Sequence, residues 1–183
     1  MDHRLRLLDL LATRSARRGT FTLASGKQSD LYIDCRPTTM HPEGLSLIGP
    51  LGLHAISARS WHPDSVGGLT LGADPISYAI AYASQLAGLP VRAFTVRKEA
   101  KSHGTGKVIE GAFERGDRVV VVEDVITTGG SALRAADAVR AAGGTVVGVL
   151  AVVDRAEGGR SAIEAAGYEV EALVTAAEVV ARM

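Results

Sequence analysis

One cysteine, one tryptophan and 4% aromatic residues in 183 leave little room for several kinds of protein. The single thiol, Cys35, excludes an internal disulfide framework, and a chain of this length buries enough surface to hold a core without one. Neither sign of charge is in excess, since 20 Lys and Arg stand against 20 Asp and Glu for a formal net charge of +0. That balance argues against a protein that coats a nucleic-acid backbone or an anionic membrane. Long apolar runs are missing too: Val119 to Val122 is typical, far short of the roughly 20 residues a membrane helix needs. The opening MDHRLRLLDL contains an acid and no continuous apolar stretch, so no secretory leader is expected. With 46% hydrophobic and 22% charged residues the chain is not disordered. A reduced, cytoplasmic globular protein is expected, with no nucleic acid and no membrane among its partners.

What is present is a regular alternation of patterns. Leu5, Leu7, Leu8, Leu11 and Ala12 recur at helical spacing, which predicts an amphipathic helix over 3–17, ended by Gly19. Further helices are expected near 43–58, where Pro50 should interrupt the run, and near 75–88, 131–142, 159–166 and 176–182. Between them lie β-branched runs at 65–71, 91–96, 118–123, 145–154 and 168–174. Continuous apolar strands alternating with helices predict an α/β fold with a mostly parallel sheet buried on both faces. No repeat or linker divides the chain, so 1–183 reads as one domain. In such a sheet, ligands bind at the carboxyl ends of the strands.

The segment Val119 to Ala132 places a buried strand, the acids Glu123 and Asp124, a turn and a helix start in succession. Thr127, Thr128 and Ser131 offer hydroxyls, and Gly129 and Gly130 let backbone N–H groups approach a phosphate at the positive end of the helix. Two carboxylates beside a phosphate pocket repel the phosphate. They make sense when the ligand also carries a sugar diol or a divalent cation, and a sugar phosphate meets both demands. Neither GxxxxGK[ST] nor GxGxxG is present. A second segment, Arg97-Lys98-Glu99-Ala100-Lys101-Ser102-His103-Gly104, follows the 91–96 strand; its cations and the nearby Gly104 and Gly106 suit a hinged loop that closes over a polyanion. His3, His41, His54 and His62 have no metal-ligand spacing, Trp61 and Cys35 read as packing residues, and Gly104 to Lys107 lacks the context of a nucleotide loop.

The first segment closely resembles the phosphoribosyl-pyrophosphate signature of the type I phosphoribosyltransferases, and RKEAKSHG is similar to the catalytic loop of the orotate phosphoribosyltransferases. Gly19 to Ser29, continuing to Tyr32 and Asp34, resembles the segment that lies over the base in that family, and Asp154-Arg155 matches the position whose arginine holds orotate. The resemblance spans about residues 19 to 155. It implies a type I phosphoribosyltransferase fold in which about residues 1–40 form an N-terminal helix and a small hood. It also implies transfer of a ribose 5-phosphate group to orotate, giving orotidine monophosphate and pyrophosphate in pyrimidine synthesis.

On this resemblance Lys101, His103 and Asp124 are catalytic. Phosphoribosyl pyrophosphate is held by Arg97, Lys98, Lys101, His103, Glu123, Asp124 and the run Val125, Ile126, Thr127, Thr128, Gly129, Gly130 and Ser131. Orotate is held by Thr127 and Arg155. The implied cofactor is Mg2+, bound mainly through the substrate with Glu123 and Asp124 nearby. The implied partner is a second copy of the chain, with the 97–107 loop serving the neighbouring site of a homodimer. Two departures stand out: Ala24 occupies a position where many relatives have lysine, as does Gly72, and Leu69 to Pro75 is similar to the actinobacterial variant. On the residues alone two other readings stay open, a phosphoribosyltransferase for another base and a non-catalytic sensor of phosphoribosyl pyrophosphate. No DNA-binding segment or basic surface of the kind such a sensor adds is found in the sequence.

Overall fold

The computed structural model of the chain describes residues 2–22, 28–99 and 107–183. Its centre is a six-stranded sheet in the order β5-β4-β3-β6-β7-β8, made of β3 (Ser65–Leu69), β4 (Arg92–Val96), β5 (Ile109–Gly111), β6 (Arg118–Ile126), β7 (Thr145–Asp154) and β8 (Val170–Thr175). All neighbours are parallel except β4 and β5, which pair antiparallel at the edge. The α/β fold with a mostly parallel sheet is thus the one expected from the alternation of patterns.

The valine runs explain why the sheet lies in the middle. Val120, Val122, Leu150 and Val152 pack on one face against α3 (Pro42–Ala58) and α4 (Ala73–Leu86), together with α1 (His3–Leu10) and α7 (Ala176–Val180). Val119, Val121, Val149 and Ala151 pack on the other against α5 (Gly130–Ala141) and α6 (Gly159–Ala165). Both alternating sets are buried, so the strands read as continuous apolar runs, each valine contributing about 1.5–3 kcal/mol of burial.

Three local expectations are corrected. The N-terminal helix does not run to residue 17: α1 ends at Leu10, Leu11–Ser15 form one wider π-helical turn, and the chain is extended from Ala16. Leu11 and Ala12 stay buried along that turn, so the apolar spacing outlasts the α-helix. Gly19 lies within a strand, because β1 (Ala16–Thr22) pairs antiparallel with β2 (Gln28–Ile33) as a separate two-stranded hood. Pro50 does not break α3. Both Pro50 and Ser46, whose carbonyl it leaves without a helical donor, are exposed. The short α2 (Arg36–Thr39) then links the hood to α3.

Candidate active site

The carboxyl ends of β3, β4 and β6 open into one cavity of about 280 Å3, roofed by the end of the hood. Its wall contains Glu123, Asp124, Val125, Thr127 and Ser131 from β6 and the turn after it, Lys98 beyond β4, Thr70 to Gly72 after β3, and Tyr32, Asp34 and Arg36 from the hood side. The acids and the hydroxyls that lie in sequence along residues 123–131 are therefore brought to one place.

Glu123 is the unusual group. It is 7% exposed and its Oε2 has no hydrogen-bond partner among the described residues. Burial, reinforced by the charge of Asp124, pushes its carboxyl from 4.5 up to about 9. Asp124 is less buried, and its Oδ1 accepts from the N–H of Val125 at 2.9 Å. Parallel pairing of β3 with β6 brings the loop after β3 against this pair. A Cβ on Gly72 would lie 2.7 Å from the Asp124 carboxyl, so glycine at this position is what lets the two loops touch. The Thr70-Leu71 peptide in that loop is cis. Asp74 braces the loop by accepting from Thr70 Oγ1 at 2.7 Å and from Thr95 Oγ1 at 2.8 Å, which ties it to β4.

The turn at 127–131 ends on α5. Gly129 has φ of +82°, and a Cβ there would meet the Gly159 carbonyl at 2.8 Å, so the turn is seated on the start of α6 by two glycines in close approach. Thr128 and Ser131 are both exposed, and of the two Ser131 lines the cavity. The N–H groups of the first turn of α5 supply partial positive charge to this end of the cavity.

The other expected residues are placed as follows. Lys98 lines the cavity, while Arg97 lies on the β4–β5 edge with its guanidinium 3.7 Å from Glu110. Ile126 is buried beneath the turn, and its carbonyl accepts from the N–H of Arg155 at 3.0 Å. Arg155 is not among the residues lining the cavity; its Nη2 donates to Ser29 Oγ and the Leu31 carbonyl of β2, 3.2 Å each. Lys101, His103, the rest of 100–106, and Ala24 and Lys27 lie outside the described residues. Cys35 is fully buried, which pushes its thiol up and away from reactivity, and Trp61 is buried with its Nε1 donating to Glu169.

Sequence reading missed Arg36. It grips Asp34 through Nε and Nη2, both at 2.8 Å, and holds that carboxyl below the usual carboxylate range while presenting a cation to the cavity. Its only signal is the short spacing Asp34-x-Arg36, too common to single out.

A family model described as phosphoribosyl transferase domain matches residues 56–174. An orotate phosphoribosyltransferase of Rhodopseudomonas palustris is 47% identical over 179 residues, covering 96% of this chain and 95% of its own. Among solved structures, Mycobacterium tuberculosis orotate phosphoribosyltransferase with inorganic phosphate superposes with a TM-score of 0.85 at 43% identity, covering 98% of this chain and 99% of that one. The same enzyme with 5-phospho-alpha-D-ribosyl 1-diphosphate gives 0.80 at 40% identity over 98% and 92%. The chain belongs to the phosphoribosyl transferase domain family, in its orotate phosphoribosyltransferase branch.

Proposed function

We propose that the chain transfers the 5-phosphoribosyl group of phosphoribosyl pyrophosphate to orotate. The bond between C1′ and the pyrophosphate oxygen breaks, a bond forms between C1′ and a ring nitrogen of orotate, and the proton of that nitrogen is released. The observation that carries this reading is the acid pair set beside the hydroxyl turn in one cavity. Ser131, Thr127 and the N–H groups of the 127–131 turn receive the 5′-phosphate, and Asp124 accepts from the ribose diol. As pyrophosphate leaves, the ribose gains oxocarbenium character and negative charge gathers on the departing oxygens. Lys98 and Arg36 face that charge from the cavity wall, and Lys101 and His103 are the further residues that would meet it. Orotate's ring nitrogen ionises readily, so no strong protein base is needed. Arg155 holds the base carboxylate and Thr127 the ring edge.

The residues present fit a divalent cation carried by the substrate. Glu123 Oε2 is a buried carboxyl oxygen with no partner among the described residues, next to a second carboxyl on the cavity wall. No group of three or more His, Cys, Asp or Glu among those residues forms a cage of its own. Mg2+ binds well through one or two carboxylates plus substrate oxygens, and Glu123 and Asp124 would hold it in that way. When bound it supplies positive charge to the pyrophosphate and diol.

The working unit is a homodimer in which the 97–107 loop serves the neighbouring site. Tyr78, Tyr82, Leu86 and Leu89 form an exposed apolar stripe along and just beyond α4, the helix that starts at the cavity, and this supports a paired surface there. No described helix is long and apolar enough to cross a membrane. The test is stoichiometry: orotate and phosphoribosyl pyrophosphate should yield orotidine monophosphate and pyrophosphate one for one, and exhaustive chelation should stop it. Turnover untouched by chelation would refute the cation's part.

A further inference from the structure

Arg155 and the acid that faces it are unequal partners. The guanidinium-bearing side chain is 6% exposed and the Glu157 side chain is 39% exposed. The turn between them is fixed, because Asp154 accepts from the Ala156 N–H and from Arg160 Nε, both at 2.8 Å. Ala156 takes φ of +55°, a left-handed conformation that folds the chain back. Glu157 Oε1 is thereby brought to 2.6 Å from Arg155 Nη2.

Donors and acceptors around this guanidinium do not match. Nη2 has two hydrogens and faces three oxygens, those of Ser29 Oγ, the Leu31 carbonyl and Glu157. Nε has one hydrogen, is buried, and has no partner among the described residues. The Nε and Nη2 hydrogens lie along the same edge of the planar group, the edge that a carboxylate grips with both oxygens. Glu157 brings one oxygen to one end of that edge, and no described residue occupies the other end.

We infer that Glu157 is an internal stand-in for the substrate carboxylate. It neutralises Arg155 while the base site is empty and gives way when a carboxylated base arrives, which makes it a specificity-determining residue. The inference rests on the orotate reading above. An incoming carboxylate satisfies Nε and Nη2 together, and Glu157, already partly in water, moves out without carrying its charge into the interior. A neutral pyrimidine has nothing with which to displace Glu157 and leaves Nε unpaired, so it gains no help from Arg155. The site thus rejects bases lacking the carboxylate, and the competition it sets up weakens orotate binding.

Glu157→Gln in the full chain tests this. The KM for orotate should fall about fivefold, the worth of one partly exposed competing ion pair. The KM for phosphoribosyl pyrophosphate and the inhibition constant of uracil should not fall. Glu157→Asp, which keeps the competing charge, should stay within about twofold of wild type for orotate. An orotate KM that is unchanged or raised in Glu157→Gln overturns the inference and makes Glu157 a brace that holds Arg155 ready. Arg155→Ala separates the two levels. If it leaves the orotate KM unmoved, the base-site reading fails and the inference with it; if it raises that KM while Glu157→Gln does not lower it, the inference alone fails.

Discussion

Replacing Glu123 by glutamine should make the fold less sensitive to rising pH. The native carboxyl keeps its proton until about pH 9, whereas in the unfolded chain it loses it near its ordinary 4.5. Below the lower value both states hold the proton and nothing depends on pH. Between the two values only the native state holds it, so unfolding releases a proton and wild-type stability falls as pH rises, by up to about 1.4 kcal/mol per pH unit. Above the upper value the slope from this group ends. Glutamine has no proton to lose, so between about pH 6 and pH 8 the variant should gain up to about 2.7 kcal/mol on wild type. Urea unfolding of both proteins at several pH values and constant ionic strength measures the difference through the midpoints, provided the slopes match. Stability curves that stay parallel across this range would show that Glu123 is ionised in the empty protein. The same proton reports on the site: with magnesium, binding of phosphoribosyl pyrophosphate near pH 7.5 should release about one proton from wild type and none from Glu123→Gln in calorimetry repeated in two buffers.

Arg155→Ala should raise the orotate KM with a loss of about 2–3 kcal/mol while leaving the phosphoribosyl pyrophosphate KM nearly intact, since the guanidinium answers the base carboxylate; equal losses for both substrates would contradict its place. Gly129→Ala puts a Cβ at φ of +82° and 2.8 Å from the Gly159 carbonyl, so it should cost about 1–3 kcal/mol in thermal or urea unfolding and weaken phosphate binding; an unchanged midpoint would mean the turn adapts. Lys101→Ala should lower turnover by roughly 10² to 10³. Mixed with Asp124→Asn, it should recover to about a quarter of wild-type activity, because random reassortment makes half the dimers mixed and half of their sites intact. No recovery after confirmed subunit exchange would place the loop in its own chain's site.

The central sheet was legible because Val119 to Val122 and Val149 to Val153 are apolar at every position, as a strand buried on both faces requires. The hood could be expected only from the family resemblance and not from the residue pattern, because β1 pairs residues such as Arg17 and Arg18 that stay exposed and leave no period-two pattern. The helix at 3–17 was overextended for a related reason: burial of Leu11 and Ala12 reflects packing of a wider turn, and apolar spacing does not distinguish it from an α-helix. Three-residue β5 is too short to leave a pattern, and with it went the cross-strand approach of Arg97 to Glu110. Within the site, Glu123 to Ser131 could be read because its chemistry is contiguous in the chain. Gly72 against Asp124, Thr70 and Thr95 on Asp74, and Arg155 against Ser29 join residues that only the strand order and the hood bring together.

Orotate transfer is tested most directly by offering orotate, uracil, adenine and guanine together at equal concentration, with phosphoribosyl pyrophosphate and magnesium, and separating the nucleotides formed. Orotidine monophosphate should be the one product above background, matched by pyrophosphate. A preference for any of the other three bases, or no nucleotide from any of them by a protein that still binds phosphoribosyl pyrophosphate, would contradict it.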